Sequence, residues 1–307
     1  MKLIQYIMLF ISPVLLSGCD AQPAQALLAP ATKIAPEKRP ALWKVTSKDS
    51  DSAAIYLFGA IHLLPDETKW QSAIIDRAVD ESNSLTIELT RTDDMANISA
   101  VFNGIAVTKG LPPVSQRIDQ KLLPQLNAAI SSSNTPEKTL NQLETWAAAL
   151  RIASTTSANI GLGSSNAVET VLNYRFSAAG KPSRGLETII QQFSFFDQLP
   201  EAEQRAMLNA ILRGTKDQSA QTERLINAWL IGDQSGILKQ ANTGIMASAK
   251  MREILLTKRN QRWADQLATW IDRGEKTFVA VGAAHLAGKQ GTPALLAQRG
   301  YVVTRVQ

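Results

Sequence analysis

Two six-residue segments, FGAIHL at residues 58–63 and VGAAHL at residues 281–286, share the pattern Gly-Ala-x-His-Leu directly after an apolar run. With 17 glycines in 307 residues, a glycine three places before both histidines would arise by chance with a probability of about 0.003. Glycine permits sharp turning and close backbone approach, so each segment predicts a strand that ends in a tight turn. The histidine of each turn then lies at the carboxyl edge of a sheet, where α/β proteins bind ligands.

The chain contains no histidines besides His62 and His285. If the two strand ends are adjacent, both imidazoles come together, and imidazoles bind divalent transition metals, usually with a carboxylate as a further ligand. Glu88 is the first candidate for that carboxylate. It lies in the apolar segment SLTIEL at residues 84–89, where an unpaired carboxylate would be costly to bury. Glu187 is the second candidate.

The patterns from residue 41 onward predict an α/β fold, with elements of α+β, in which helices flank a central mixed sheet. Strands are expected where apolar and β-branched residues cluster, and helices where apolar residues recur at helical spacing. An opening hairpin, a strand–helix–strand unit and a closing strand–helix–strand unit result. Their predicted positions are 42–45, 55–58, 72–81, 84–89, 276–281, 292–299 and 301–306.

Between these units the sequence is rich in helix patterns and poor in strand patterns. Helices are predicted between Ser, Gly and Pro clusters, at residues 121–131, 136–154, 166–179 and 200–213. We therefore expect one domain over residues 41–307 with a large helical insertion at about 94–180. A short strand at 182–187 is expected to lead into a helix from Thr188, and further helices are predicted at 218–231 and 246–273.

Residues 1–19, MKLIQYIMLFISPVLLSGC, have the composition of a bacterial export signal. Their end, LSGC, resembles the lipobox of bacterial lipoproteins, in which the cysteine is acylated, and Cys19 is the sole cysteine of the chain. Asp20 resembles the signal that retains lipoproteins at the inner membrane. We therefore expect a lipid anchor at Cys19, a proline-spaced tether over residues 20–40, and a location on the periplasmic face of the inner membrane.

Composition excludes several classes of protein. The chain is 45% hydrophobic and 19% charged, which is unlike disordered or polytopic membrane proteins. One cysteine excludes an intramolecular disulfide and a CxxC site. The net charge is +5, and the basic residues are interspersed with acidic ones and do not alternate with aromatic residues. No nucleic-acid partner is therefore expected. No P-loop, GxGxxG, HExxH or GxSxG motif supports nucleotide binding or serine hydrolysis.

Five short motifs follow one another along the chain. They are Gly-x-x-His at residues 59–62, Glu88, GLET at residues 185–188 with Gln191 or Gln192, Arg259-Asn260, and Gly-x-x-His-Leu at residues 282–286. In this order they resemble the TraB/GumN family, which includes the Tiki proteases. The resemblance covers residues 41–307. One departure is Gly-Ala-Ile-His at residues 59–62, where the family commonly has Gly-Thr-x-His.

The resemblance implies a fold related to the haem-binding ChaN-like proteins and the erythromycin esterases. It also implies divalent-metal-dependent proteolysis, with Mn²⁺ or Co²⁺ favoured and Zn²⁺ possible. Carried over residue by residue, His62, His285 and Glu88 become metal ligands. Glu88 and Glu187 become the candidate catalytic carboxylates, of which one binds the metal and the other acts as general base. Arg259 and Asn260 become candidate substrate-binding residues.

These observations together predict a lipid-anchored, peptidase-like hydrolase of the cell envelope that acts on a peptide or a small molecule with a divalent metal. Two alternatives remain open. The first is a haem- or iron-binding lipoprotein, since two histidines are suitable axial ligands of haem. The second is a metal-free hydrolase in which histidine performs acid/base chemistry, as the resemblance to the erythromycin esterases allows. The sequence makes no prediction of the oligomeric state.

Overall fold

The computed structural model describes residues 39–49, 53–62, 64–65, 67–90, 94–133, 135–157, 166–214 and 218–307. The predicted export signal, Cys19, Asp20 and nearly all of the predicted tether lie outside the described residues. Within these ranges, no helix has the length and apolar character that crossing a bilayer requires.

The described residues form one six-stranded sheet with the strand order β4-β3-β5-β2-β1-β6. Strand β1 pairs antiparallel with β2 and β6, whereas β2, β3, β4 and β5 run parallel to one another. This mixed sheet with its many helices confirms the predicted α/β class. The strands are β1 (Leu42–Thr46), β2 (Ala54–Ala60), β3 (Ser84–Leu89), β4 (Ser183–Glu187), β5 (Thr277–Gly282) and β6 (Val302–Arg305).

Helices cover both faces of the sheet and form the segment between β3 and β4. The α-helices are α1 (Ala73–Glu81), α2 (Met95–Ala106), α3 (Leu123–Ser133), α4 (Glu137–Gln142), α5 (Thr145–Ser157), α6 (Val168–Ala178), α7 (Ile189–Asp197), α8 (Glu201–Arg213), α9 (Gln218–Leu230), α10 (Gln234–Ala241), α11 (Ala249–Arg252), α12 (Lys258–Asp272) and α13 (Thr292–Gln298). A π-helical turn (Glu253–Thr257) joins α11 to α12. Shorter 3₁₀ turns are Val114–Gln116, Gln120–Leu122, Gly244–Ala247 and Ala283–Leu286.

The strand side chains alternate between two apolar cores, because successive residues of a strand point to opposite faces of the sheet. Phe58 and Phe278 belong to a core that α1, α6, α9 and α10 cover. Their neighbours Leu57 and Val279 belong to a second core that α12 and α13 cover. A third cluster surrounds Trp146 and joins helices of the segment between β3 and β4 to α7, α8 and α11. Because both faces are covered, the central parallel strands β2 and β5 are nearly continuous apolar runs.

Several predicted helix boundaries agree with the structure. Ser72 caps α1 by accepting a hydrogen bond from the Ile75 amide, and Thr188 caps α7 in a capping box with Gln191. Gly300 follows α13 with a φ of +95°, as a glycine after a helix end commonly does.

Other boundaries differ. The predicted helix at 136–154 is divided into α4 and α5, because Leu143 is extended and forms an isolated antiparallel bridge with Val107. The predicted helix at 246–273 is interrupted by the π-helical turn. Helices α2 and α10 were not predicted.

We predict that the buried Trp229 indole stabilises the turn after β2. Its Nε1 donates to the carbonyl oxygen of Gly59 over 2.8 Å, so Trp229→Phe leaves that buried oxygen without its partner. The free energy of unfolding should fall by about 1–3 kcal/mol more than in the control Trp43→Phe, because Trp43 makes no hydrogen bond through its indole within the described residues. Urea unfolding of both variants measures the difference, and equal losses would contradict the prediction.

Candidate active site

The parallel strands bring the predicted site residues to one edge of the sheet. Glu88 is the penultimate residue of β3 and Glu187 is the last residue of β4. His62 follows β2 by two residues, and His285 lies in the 3₁₀ turn directly after β5. Helix α12 contributes Arg259 and Asn260 from its first turn. The structure thus brings together all six residues that the sequence singled out.

Three side chains converge at Gly282. Its amide donates to Glu88 Oε1 over 2.8 Å. A methyl group at this position would lie 3.2 Å from Glu88 Oε1, 3.5 Å from His285 Cδ2 and 3.7 Å from His62 Nε2. The glycine of the second repeated segment therefore provides the space in which a carboxylate and two imidazoles meet.

Arg259 is the centre of a buried charge network. Its Nε donates to Glu187 Oε1 over 2.9 Å, and its Nη2 donates to Glu88 Oε2 over 2.6 Å and to Glu187 Oε2 over 2.8 Å. Its Nη1 contacts the Leu255 carbonyl oxygen at 3.1 Å and His285 Nε2 at 3.2 Å. These contacts use all five N–H groups of the guanidinium.

Glu187 is equally well satisfied. Besides Arg259, its carboxylate accepts from Trp263 Nε1 over 3.0 Å and from Gln192 Nε2 over 3.2 Å. These donors occupy both oxygens of the Glu187 carboxylate. Glu187 therefore serves as an anchor that holds Arg259 against β4.

The network shifts the pKa of its members. Burial would raise the pKa of the Glu88 carboxyl, but the charges of Arg259 and the histidines and the Gly282 amide outweigh burial and lower the pKa to about 2. Burial likewise opposes the charge of Arg259, yet the two carboxylates raise its pKa above the usual value. Glu88 and Arg259 consequently remain charged throughout the physiological range.

His285 is buried and neutral. Burial, reinforced by Arg259 and His62 and opposed only by Glu88, lowers its pKa to about 3. Its Nδ1 lies 2.6 Å from Asn260 Oδ1, and Asn260 Nδ2 donates to the Gln290 carbonyl oxygen over 2.7 Å, which fixes the orientation of the amide. Because the amide oxygen can only accept, the hydrogen of His285 resides on Nδ1 and the lone pair on Nε2.

His62 differs from His285 in its partner. Its Nδ1 lies 2.5 Å from Glu169 Oε1, and the side chains of His62 and Glu169 are 14% and 17% exposed. Burial alone would lower the pKa of His62, but the Glu169 carboxylate, together with Glu88, raises it above the usual value. The sequence places Glu169 within the predicted helix at residues 166–179 and contains no local motif that marks it as a site residue.

The π-helical turn before α12 contributes to this geometry. Its carbonyl oxygen at Leu255 accepts from the side chain of Arg259, four residues further on. Such turns are rare in proteins, and many of those that do occur lie at functional sites. The turn thereby fixes Arg259 at the start of α12, from which the guanidinium reaches both β3 and β4.

The predicted metal site lies where the two imidazoles and the Glu88 carboxylate meet. His62, His285 and Glu88 have suitable ligand chemistry, and each imidazole has an oxygen against Nδ1, as metal-binding histidines commonly do. As the side chains lie, however, no group of three or more His, Cys, Asp or Glu residues in the part of the chain described could hold a metal ion. Arg259 explains this, since its guanidinium lies against both His285 Nε2 and Glu88 Oε2.

The site with Arg259 in this position therefore does not fit a metal. Metal binding by His62, His285 and Glu88 stays a prediction of the sequence, as does substrate binding by Arg259 and Asn260. In the structure, the N–H groups of Arg259 have acceptors within the protein, and Asn260 orients His285.

The fold and the site define an α/β domain with a cluster of histidines and carboxylates at the strand ends. The model of the TraB/PrgY/gumN family matches residues 41–305. The chain belongs to this family. No curated protein and no solved structure matches the chain significantly.

We predict that Arg259→Gln destabilises the protein strongly at neutral pH. The substitution leaves Glu88 and Glu187 buried without their cation, which should lower the free energy of unfolding by about 3–5 kcal/mol. Without Arg259, burial should raise the pKa of Glu88, so the folded state would take up a proton as the pH falls. The deficit relative to the unsubstituted protein should therefore be smaller at pH 5 than at pH 7.

Urea unfolding at the two pH values measures this deficit. The control is Arg299→Gln, which removes a surface ion pair with Asp265 and should cost no more than about 1 kcal/mol. Equal stability of the two variants, or a deficit of Arg259→Gln that grows at pH 5, would contradict the assignment.

Proposed function

We propose that the chain is a hydrolase in which His62 and Glu169 form the acid/base pair. The observation that carries this proposal is the ion-pair contact of His62 Nδ1 with Glu169 Oε1 at 2.5 Å, which lacks the geometry of a hydrogen bond as the side chains lie. His62 Nε2 lies beside Gly282, where Glu88 and His285 also meet. A histidine oriented by a carboxylate through Nδ1 is a recurring arrangement of general bases. His62 is also the more exposed of the two histidines.

The proposed reaction is the hydrolysis of an acyl bond, an amide or an ester. His62 Nε2 accepts a proton from water while the water oxygen attacks the carbonyl carbon. The resulting imidazolium is stabilised by Glu169 through Nδ1 and by the nearby charge of Glu88. The imidazolium then returns the proton to the leaving nitrogen or oxygen as its bond to the carbonyl carbon breaks.

The other predicted residues hold this pair in place. Glu88 contributes negative charge near His62, and Glu187 anchors Arg259, which in turn pairs with Glu88. His285 is neutral, and its Nε2 accepts from Arg259. Perturbed pKa values of charged groups at a strand-end edge support a functional rather than a purely structural cluster.

The test is cleavage of a peptide library and of simple ester substrates by the purified protein. His62→Gln should reduce kcat by about 100-fold or more, since it removes the general base. Glu169→Gln should reduce kcat and should shift the acidic limb of the kcat/KM profile to lower pH, because Glu169 raises the pKa of His62. The matched control is Glu275→Gln. Glu275 lies just before β5, at the opposite edge of the sheet, where its carboxylate pairs with Arg184.

The same assay distinguishes the alternatives. Activity that disappears with chelator and returns with Mn²⁺ or Co²⁺ would replace the acid/base mechanism with the metal-dependent one predicted from the sequence. A Soret band with stoichiometric haem in the purified protein would favour the binding function. Activity that survives chelator and depends on both His62 and Glu169 is the expected result.

The proposed location is the periplasmic face of the inner membrane, with Cys19 lipidated. This proposal is supported by LSGC at residues 16–19 and by Asp20. Cys19→Ser should move the protein from the membrane fraction to the soluble periplasmic fraction, as measured by fractionation and immunoblotting. A variant that remains in the inner-membrane fraction would contradict the lipid anchor.

A further inference from the structure

A cleft of about 140 Å³ lies beside the Glu187 side of the candidate active site. Glu187 and Trp263 form its buried wall, and the Trp263 ring packs on the His285 ring with 4.4 Å between centroids. The cleft therefore shares a wall with the site. Its more exposed side is formed by Gln191, Phe195, Arg262 and Gln266.

Arg262 carries the charge of this cleft. Its side chain is 51% exposed, and its nearest carboxylate oxygen, Glu187 Oε1, is 3.7 Å away. Glu187 already accepts from Arg259, Trp263 and Gln192. Within the described ranges Arg262 makes no hydrogen bond, so its N–H groups remain available to a ligand.

The guanidinium of Arg262 is nevertheless held in place. Its Cζ lies 5.0 Å from the centroid of the Phe195 ring, within the range of a cation–π interaction. Phe195 also contacts Arg259, whose Cζ lies 5.4 Å from the same centroid. The ring thus separates a fully satisfied arginine from one with free donors.

The remaining polar groups of the cleft favour an anion as well. Gln191 Oε1 accepts from the Thr188 amide over 2.8 Å, so the amide nitrogen of Gln191 remains as a donor. The carboxylate of Glu187, the acidic group of the cleft, accepts from Trp263 and Gln192 and shares the charge of Arg259 with Glu88. The cleft combines free donors, the half-exposed guanidinium of Arg262 and two aromatic rings, a combination suited to a planar carboxylate.

We propose that Arg262 binds a carboxylate of the substrate and thereby selects acidic substrates for the hydrolase proposed above. The substrate identity rests on that proposed function, but binding of a carboxylate in the cleft does not. Arg259 was expected from the sequence to hold the substrate carboxylate. Its donors are all used within the protein, whereas Arg262, three residues further along α12, offers the same planar fork to the cleft.

The test compares binding of benzoate with that of benzamide, its neutral counterpart of nearly equal shape, by ligand-observed NMR titration on the purified protein. Benzoate should bind about 10-fold more tightly, as expected for a charge-assisted bidentate contact. Arg262→Gln should abolish this preference, and Arg262→Lys should retain only part of it, since lysine lacks the planar fork. The matched control is Arg273→Gln, an exposed arginine at the far end of α12, which should leave the preference unchanged.

Equal binding of benzoate and benzamide to the unsubstituted protein would overturn the proposal. A preference that persists in Arg262→Gln, or that is lost equally in Arg273→Gln, would also overturn it. The readout does not require turnover, so a preference for benzoate in a protein without hydrolase activity would leave the carboxylate subsite standing while removing the proposed reaction. Hydrolase activity in a protein that binds benzoate and benzamide equally would leave the proposed reaction standing while removing the carboxylate subsite.

Discussion

The guanidinium of Arg259 lies between two buried carboxylates, Glu88 and Glu187, and the rest of the site depends on this contact. Burying charge costs several kcal/mol per ion unless the geometry and the additional hydrogen bonds are good. Here every N–H of Arg259 has an acceptor, and Glu187 gains donors from Trp263 and Gln192. The network joins β3, β4 and α12, three elements that are distant in sequence.

This network divides two otherwise similar histidines into different states. His285 touches Arg259 and Asn260 and is neutral because burial and positive charge lower its pKa. His62 pairs with Glu169, and carboxylate charge raises its pKa. Groups whose pKa values are moved apart by their surroundings commonly perform distinct roles in acid/base catalysis. A repeat that is nearly symmetrical in sequence thus becomes an asymmetric pair in the folded protein.

The fold and the membership of the site could largely be predicted from sequence, because strand ends and glycine turns are local signals. The repeated Gly-Ala-x-His-Leu segments and the position of Glu88 in an apolar strand were sufficient to predict that these side chains lie at one edge of the sheet. The partners could not be predicted in the same way. Glu169 on α6 contacts His62 after β2, and Arg259 donates to groups from β3, β4 and the turn after β5. Both sets of contacts depend on tertiary packing rather than on local pattern.

The two histidines differ in charge, because Arg259 lies beside His285 and the Glu169 carboxylate lies beside His62. NMR of the protein labelled with ¹⁵N-histidine tests this most directly, since the chain contains two histidines. We expect the His285 imidazole to stay neutral with its hydrogen on Nδ1 from pH 8 down to about pH 5, while the His62 imidazole becomes protonated with a pKa above the usual histidine value. Two histidines that titrate together near the ordinary pKa, or spectra that require a bound metal for either state, would contradict it.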